Sequence, residues 1–322
     1  MNKKRKFKSC LITGITGSGG SYLAEHIRKI DKNIKIYGTY RSTGYKKLFD
    51  NKKNIKLLKC DLQNYNKLEQ VLKNSKPQLI FHLASNADVQ YSFKNQLAFT
   101  TNNNLITANL FQAVKKINLK TLIVLSSTSE VYGNVPKQKQ PIDEKTAINP
   151  VNPYAVTKVF QDFLAQVYSK YLNLDIIILR MFTYSNPRRE NLFQTAFAKQ
   201  IVLVERKTQK YVNHGNLKSV RTFMSTEDTM QAYWLAATKG KIGEIYNVGG
   251  KIKISIKDFL NKMINKSNIK IKTKEKKSLL RPVDIDVQVA KSDKFIRETG
   301  WKENKNIDYS IQDLLNKMRE KY

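Results

Sequence analysis

Tyr154 and Lys158 stand four residues apart in PVNPYAVTK, within a segment from about Pro153 to Tyr171 that reads as a helix. On a helix the phenol and the ammonium share one face, one turn apart. An ammonium at that range lowers a phenol's pKa and makes Tyr154 a usable general base near neutrality. Tyrosine and lysine four apart occur by chance in many helices. Here the pair follows a strand end, SSTSEVYG, that carries Thr128 and Glu130. Two residues apart on a strand, these side chains project from the same side. Thr128 can hydrogen-bond a hydroxyl that is being oxidised, and Glu130 can move a proton on the adjacent carbon. The plainer reading of Glu130 is a carboxylate that caps a loop.

A second group of residues points to a dinucleotide. Thr13-Gly14-Ile15-Thr16-Gly17-Ser18-Gly19-Gly20 ends the first strand and opens a helix at once. Gly14, Gly17 and Gly20 let the backbone turn tightly, approach a pyrophosphate and pack helix on strand. The helix amino terminus then faces the anion. Taken alone, the pattern is an ordinary glycine-rich turn; its place between first strand and first helix gives it weight. About 20 residues on, where an NAD site carries Asp or Glu for the ribose hydroxyls, this chain has Thr39, Tyr40 and Arg41. A guanidinium there can pair with a 2′-phosphate, which favours NADP over the alternative, NAD. Thr16, Leu62 and Leu83 complete the expected cofactor groove, together with Tyr154 and Lys158.

Strands and helices must bring these groups together. The first half alternates short apolar strands (KSCLITG, IKIYGTY, IKLLKCDL, PQLIFHLAS, TLIVLSST, DIIILRMF) with amphipathic helices. That rhythm means an α/β fold: a Rossmann-type, doubly wound parallel sheet with helices on both faces. We assign it residues 1–180, with 222–250 returning to it because EIYNVGG reads as a further strand of the main sheet. Residues 181–221 and 251–322 form a smaller carboxyl-terminal substrate-binding domain. The substrate is expected in the cleft between that cap and the strands' carboxyl ends.

Composition narrows the function classes. Lys and Arg number 58 against 26 Asp and Glu, a net charge of +32 that invites a nucleic-acid reading. The lysines are scattered, and no zinc finger, RNP-like aromatic motif or long basic helix accompanies them, so nucleic acid is not the expected partner. Cys10 and Cys60 lie in apolar runs, as reduced buried thiols do. His26, His82 and His214 form no ligand cluster, so no metal is expected. No apolar run approaches the ~20 residues of a membrane span, and MNKKRKFK leads straight into a strand. A soluble, cytoplasmic protein is the economical reading.

TGITGSGGSYLAE, STSEVYG, PVNPYAVTK and SNPRRE together resemble the GDP-mannose 4,6-dehydratases, extended short-chain dehydrogenases/reductases, over most of the chain. FAKQIV, GNLKSVRTF, AYWL, EIYNVGG, LRPVD and TGWK also resemble the sister GDP-6-deoxy-4-keto-mannose reductases. The resemblance implies a GDP-hexose substrate and a redox-neutral loss of water that yields the 4-keto-6-deoxy sugar. It makes Thr128, Glu130, Tyr154 and Lys158 the catalytic set and has Asp61 read the adenine. It puts Arg188 beside the nucleotide and Asn216, Arg221 and Arg281 on the GDP portion. The chain departs from the family pattern at Asn86-Ala87-Asp88-Val89, where Gln-Ser-His-Val is usual. It departs again at Phe182-Thr183-Tyr184, for Phe-Asn-His, and at Ser18-Gly19, for Gln-Asp. Asn86 and Thr183 thus enter the expected sugar pocket, and the hexose is GDP-mannose or another, such as GDP-N-acetylglucosamine. Family analogy adds a homodimer or homotetramer. A 4-keto-sugar reductase or an epimerase of the same fold remains open, as does a non-catalytic nucleotide-binding protein.

Overall fold

A computed structural model describes residues 4–322. Twelve strands are present among them: β1 (Ser9–Thr13), β2 (Lys35–Tyr40), β3 (Ile55–Lys59), β4 (Leu79–His82), β5 (Leu122–Thr128), β6 (Asp175–Met181), β7 (Val212–His214), β8 (Val220–Phe223), β9 (Ile245–Val248), β10 (Ile252–Ser255), β11 (Thr273–Glu275) and β12 (Val287–Gln288). The α-helices are α1 (Ser18–Ile30), α2 (Tyr65–Ser75), α3 (Val89–Ser92), α4 (Gln96–Lys116), α5 (Pro153–Tyr171), α6 (Phe193–Glu205), α7 (Thr226–Lys239), α8 (Ile256–Ile264), α9 (Asp293–Thr299) and α10 (Ile307–Lys321).

Seven strands form one parallel sheet in the order β3-β2-β1-β4-β5-β6-β9. This is the doubly wound Rossmann-type α/β fold. Its strands are apolar on both faces because both faces are covered. Cys10 and Ile12 of β1, with Val124 of β5 and Leu179 of β6, pack under α1 and α7. The alternating residues Leu11, Ile123 and Ile178 pack under α2, α4 and α5. Each such aliphatic side chain taken out of water contributes roughly 1.5–3 kcal/mol, so the two faces lock the register from both sides.

The chain runs from β1 outward to β3, then crosses to β4 on the other side of β1. That reversal opens a crevice above the carboxyl ends of β1 and β4, the place where doubly wound sheets bind ligands. A third cluster, with Phe197 and Ile201 of α6, Phe259 of α8 and Leu314 of α10, forms a separate core beside this end. Residues 251–322 do not all belong to it. Phe295 and Trp301 are fully buried against α7 and β9 in the main core, because Phe295 on the short helix α9 and Trp301 just beyond it carry this segment back.

Local sequence explains why the chemistry-bearing helix starts where it does. Asn152 caps α5, its Oδ1 accepting from Ala155 N at 2.8 Å, and Pro153 follows at the first helical position. Ser225 caps α7 in the same way through Asp228 N.

Candidate active site

The crevice is a cleft of about 850 Å³. At its inner end lies the glycine-rich turn. Gly14 has φ +69°, and a Cβ there would meet the Ala84 backbone at 3.1 Å. A Cβ on Gly20 would lie 2.4 Å from the Gly14 carbonyl oxygen, so the helix could not approach the strand. No side chain caps the start of α1, which leaves its first N–H groups to an anion. Thr39 Oγ1, near the end of β2, is buried in the same wall without a hydrogen-bond partner among the described residues. A cradle with these features fits a dinucleotide.

Thr16, Gly17, Arg41, Asp61, Leu62 and Leu83 line this half of the cleft with Gly14 and Gly20. Arg41 Nη1 donates to Asn102 Oδ1 at 3.0 Å and lies 3.9 Å from Asp61 Oδ2, with half of its side chain exposed. Its remaining donors are therefore not spent on a buried partner.

Thr128, Glu130, Tyr154 and Lys158 meet at the middle of the cleft. The expected strand alternation does not place Thr128 and Glu130. The strand stops at Thr128, whose Oγ1 accepts from Glu130 N at 3.3 Å to cap a 3-10 turn over Ser129–Tyr132. The turn carries the carboxylate. Asn152 Nδ2 donates to Glu130 Oε2 at 2.8 Å.

Tyr154 and Lys158 share a helix face, yet the ammonium does not lower the phenol as expected. Lys158 Nζ donates instead to the Ser126 carbonyl at 2.9 Å. Burial pushes Lys158 down to about 7, with Asp162 opposing. Tyr154, 8% exposed, is pushed up to about 12 mainly by burial. Arg189 and the Thr128 hydroxyl pull it down, while Glu130 and Tyr184 add to the rise. The cation that acts on the phenol is Arg189, which sequence reasoning passed over.

Arg188 is the corresponding correction. It does not line the cleft. Its guanidinium donates to Ser21 Oγ at 3.0 Å and Glu25 Oε1 at 2.7 Å, and sits 3.9 Å from the Tyr22 ring centroid. A carboxylate and an aromatic face on α1 capture it. Arg189 turns the other way, into the cleft, and donates to the Ala87 carbonyl. A paired Arg-Arg in a loop does not reveal which member faces the ligand.

The outer end of the cleft is cationic. Arg221 is 7% exposed, with Nη2 3.7 Å from Asp284 Oδ1. Burial lowers its pKa first; Glu130 and Asp284 raise it, and neighbouring Arg281 lowers it. Two adjacent guanidiniums suit a diphosphate. Asn216 lines the same end, but its Nδ2 is already committed to Asp284 Oδ2 at 2.8 Å and Ser219 Oγ at 3.1 Å. Between the ends, Asn86 and Thr183 line the wall with Gln194, a third residue the sequence did not single out. Asn103 clamps Asn86, accepting from its N–H at 2.8 Å and donating to its carbonyl at 2.9 Å.

The family model of GDP-mannose 4,6 dehydratase matches residues 11–318. The chain belongs to that family. A dTDP-D-glucose 4,6-dehydratase of Dictyostelium discoideum is 32% identical over 79% of the chain and 61% of its own length. The GDP-mannose 4,6-dehydratase sdnI of Sordaria araneosa is 26% identical over 96% of the chain and 60% of its own. The chain thus spans about three-fifths of each of these two relatives. Among solved structures, UDP-glucuronic acid 4-epimerase of Bacillus cereus, in complex with UDP-glucuronic acid and NAD, superposes with a TM-score of 0.87. It is 25% identical over 98% of the chain and all of its own. Among the described residues no helix is long and apolar enough to cross a membrane.

Proposed function

We propose that this protein is a nicotinamide-dependent 4,6-dehydratase of a GDP-hexose, either GDP-mannose or another such as GDP-N-acetylglucosamine. The observation that carries the reading is Glu130. It joins Tyr154, Lys158 and Thr128 in one cleft that runs from the glycine cradle to Arg221 and Arg281. Oxidation at C4 needs a hydride acceptor and one base for the hydroxyl proton. Elimination across C5 and C6 needs a second group that exchanges the C5 proton, and a carboxylate is suited to that.

A nicotinamide bound on the glycine cradle supplies the chemistry of accepting and returning a hydride. Tyr154 takes the C4 hydroxyl proton, with Arg189 beside it to favour the phenolate. Thr128 hydrogen-bonds the same hydroxyl. Glu130 takes the C5 proton made acidic by the 4-keto group and, with Thr128, hands a proton to the departing C6 hydroxyl. Arg221 and Arg281 hold the diphosphate. The guanine assignment rests on the family match.

We further assign NADP as the cofactor, with NAD the alternative, because Arg41 offers donors where an acidic residue would repel a 2′-phosphate. The chain is proposed to pair with a second copy of itself. Val156, Phe160, Phe163 and Val167 leave an apolar stripe exposed along α5, and Leu105 of α4 is exposed as well. Such a face is costly to leave in water.

A 4-epimerase is the second reading, favoured by the Bacillus cereus structure. An epimerase removes and returns hydride at C4 and has no use for proton exchange at C5. Incubation with GDP-, UDP-, CDP- and dTDP-hexoses in heavy water, followed by mass spectrometry and NMR, separates the readings. We expect loss of water and one deuterium at C5 with no net consumption of the cofactor; in Glu130→Gln neither the loss of water nor the deuterium should appear. Inversion at C4 without deuterium at C5 would establish the epimerase instead.

A further inference from the structure

Asn152 is 6% exposed and does not line the cleft, whereas Glu130 does. The amide therefore stands behind the carboxylate, out of a substrate's reach. Its two polar atoms serve two different elements. Oδ1 accepts from the Ala155 N–H at the start of α5, and Nδ2 donates to Glu130 Oε2, each at 2.8 Å. The helix that Asn152 starts carries Tyr154 two residues on and Lys158 four beyond that. One side chain thus ties the carboxylate to the helix that bears the phenol.

Capping alone does not require asparagine, since Asp and Ser cap as well. What the amide adds is an N–H aimed at a carboxylate oxygen. A hydrogen bond given to the charged form favours that form, and it also limits rotation of the carboxylate. The charged and titratable groups that face Glu130 are Arg221 on β8 and Tyr154 on α5. Neither of them fixes the orientation of Oε2.

We propose that Asn152 is a positioning residue for Glu130, holding the carboxylate aimed into the cleft while it caps the helix of Tyr154 and Lys158. The consequence for catalysis rests on the dehydratase reading; the effect on Glu130 itself does not. Asn152→Asp keeps the cap but replaces the donor with a second carboxylate oxygen, and two carboxylates in contact cannot both ionise freely. The test is a pH titration of Glu130 by NMR in protein labelled with ¹³C-carboxyl glutamate, the resonance being assigned by its loss in Glu130→Gln.

In Asn152→Asp the Glu130 titration should move up by about one pH unit or more, which is tenfold or more in proton affinity. The melting temperature should stay close to that of the wild type. Deuterium exchange at C5 should fall on the acid side while hydride removal from C4 persists, so that the acid limb of the rate profile moves up with the titration. Asn152→Ser also keeps the cap and lacks the amide donor, so it carries the same test should the aspartate variant fail to fold. An unmoved Glu130 titration in a folded variant would overturn the inference. Because that titration is read whether or not water is eliminated, its result is separate from the fate of the dehydratase assignment.

Discussion

Lys158 and Tyr154 sit one helical turn apart, and the lysine gives its hydrogen bond to the Ser126 carbonyl at 2.9 Å rather than acting on the phenol. Both are buried and both pay in proton affinity, in opposite directions: the lysine falls to about 7 and the tyrosine rises to about 12. The consequence can be measured without substrate. Below about pH 7 the folded and unfolded chains both hold the lysine proton, and the desolvation penalty is present in full. Between about 7 and the ordinary 10.5 the unfolded chain binds more protons, so stability rises with pH. Lys158→Met removes the group. In urea unfolding the variant should be the more stable at pH 6.5, by on the order of a few kcal/mol, and the gap should close towards pH 10. Parallel pH dependences for the two proteins would contradict this.

Arg188 and Arg189 separate by location. Arg189→Ala removes the positive charge beside Tyr154 and should lower kcat/KM by about tenfold, the effect of roughly one pKa unit on the phenol. Arg188→Ala breaks the contacts with Glu25 and Tyr22 and should chiefly lower the melting temperature. Steady-state kinetics and thermal denaturation of the two variants check the assignment, and interchanged effects would reverse it.

Arg41→Ala should weaken NADP(H) by about 10- to 150-fold and leave NAD(H) nearly unchanged. The 2′-phosphate is the only group that distinguishes the two ligands. Fluorescence titrations with both cofactors give the comparison, and equal losses would return the assignment to NAD.

Phe160→Glu places a charge in the middle of the apolar stripe on α5. Sedimentation velocity should show a dimer for the wild type and a monomer for the variant. Circular dichroism should be unchanged, because Phe160 is already 40% exposed in the single chain. A wild type that sediments as a monomer would remove the proposed pairing face.

Much of this was legible in residue order because it is local. Continuous apolar strands, the glycine turn opening α1 and the Asn-Pro start of α5 are decided by neighbours a few residues away. They are enough to specify the doubly wound sheet and to bring Thr128, Glu130, Tyr154 and Lys158 to one crevice. Side-chain direction and proton affinity were decided elsewhere. Arg188 turns from the cleft because Glu25 and Tyr22 on a distant helix offer a carboxylate and a ring. Lys158 gives its hydrogen bond to the Ser126 carbonyl on β5, and Glu130 is aimed by an amide 22 residues further along the chain. Phe295 and Trp301 return to the main core because its apolar surface stands open to them there. Desolvation and long-range hydrogen bonds depend on what folds around a group, and only the tertiary structure brings those partners within reach.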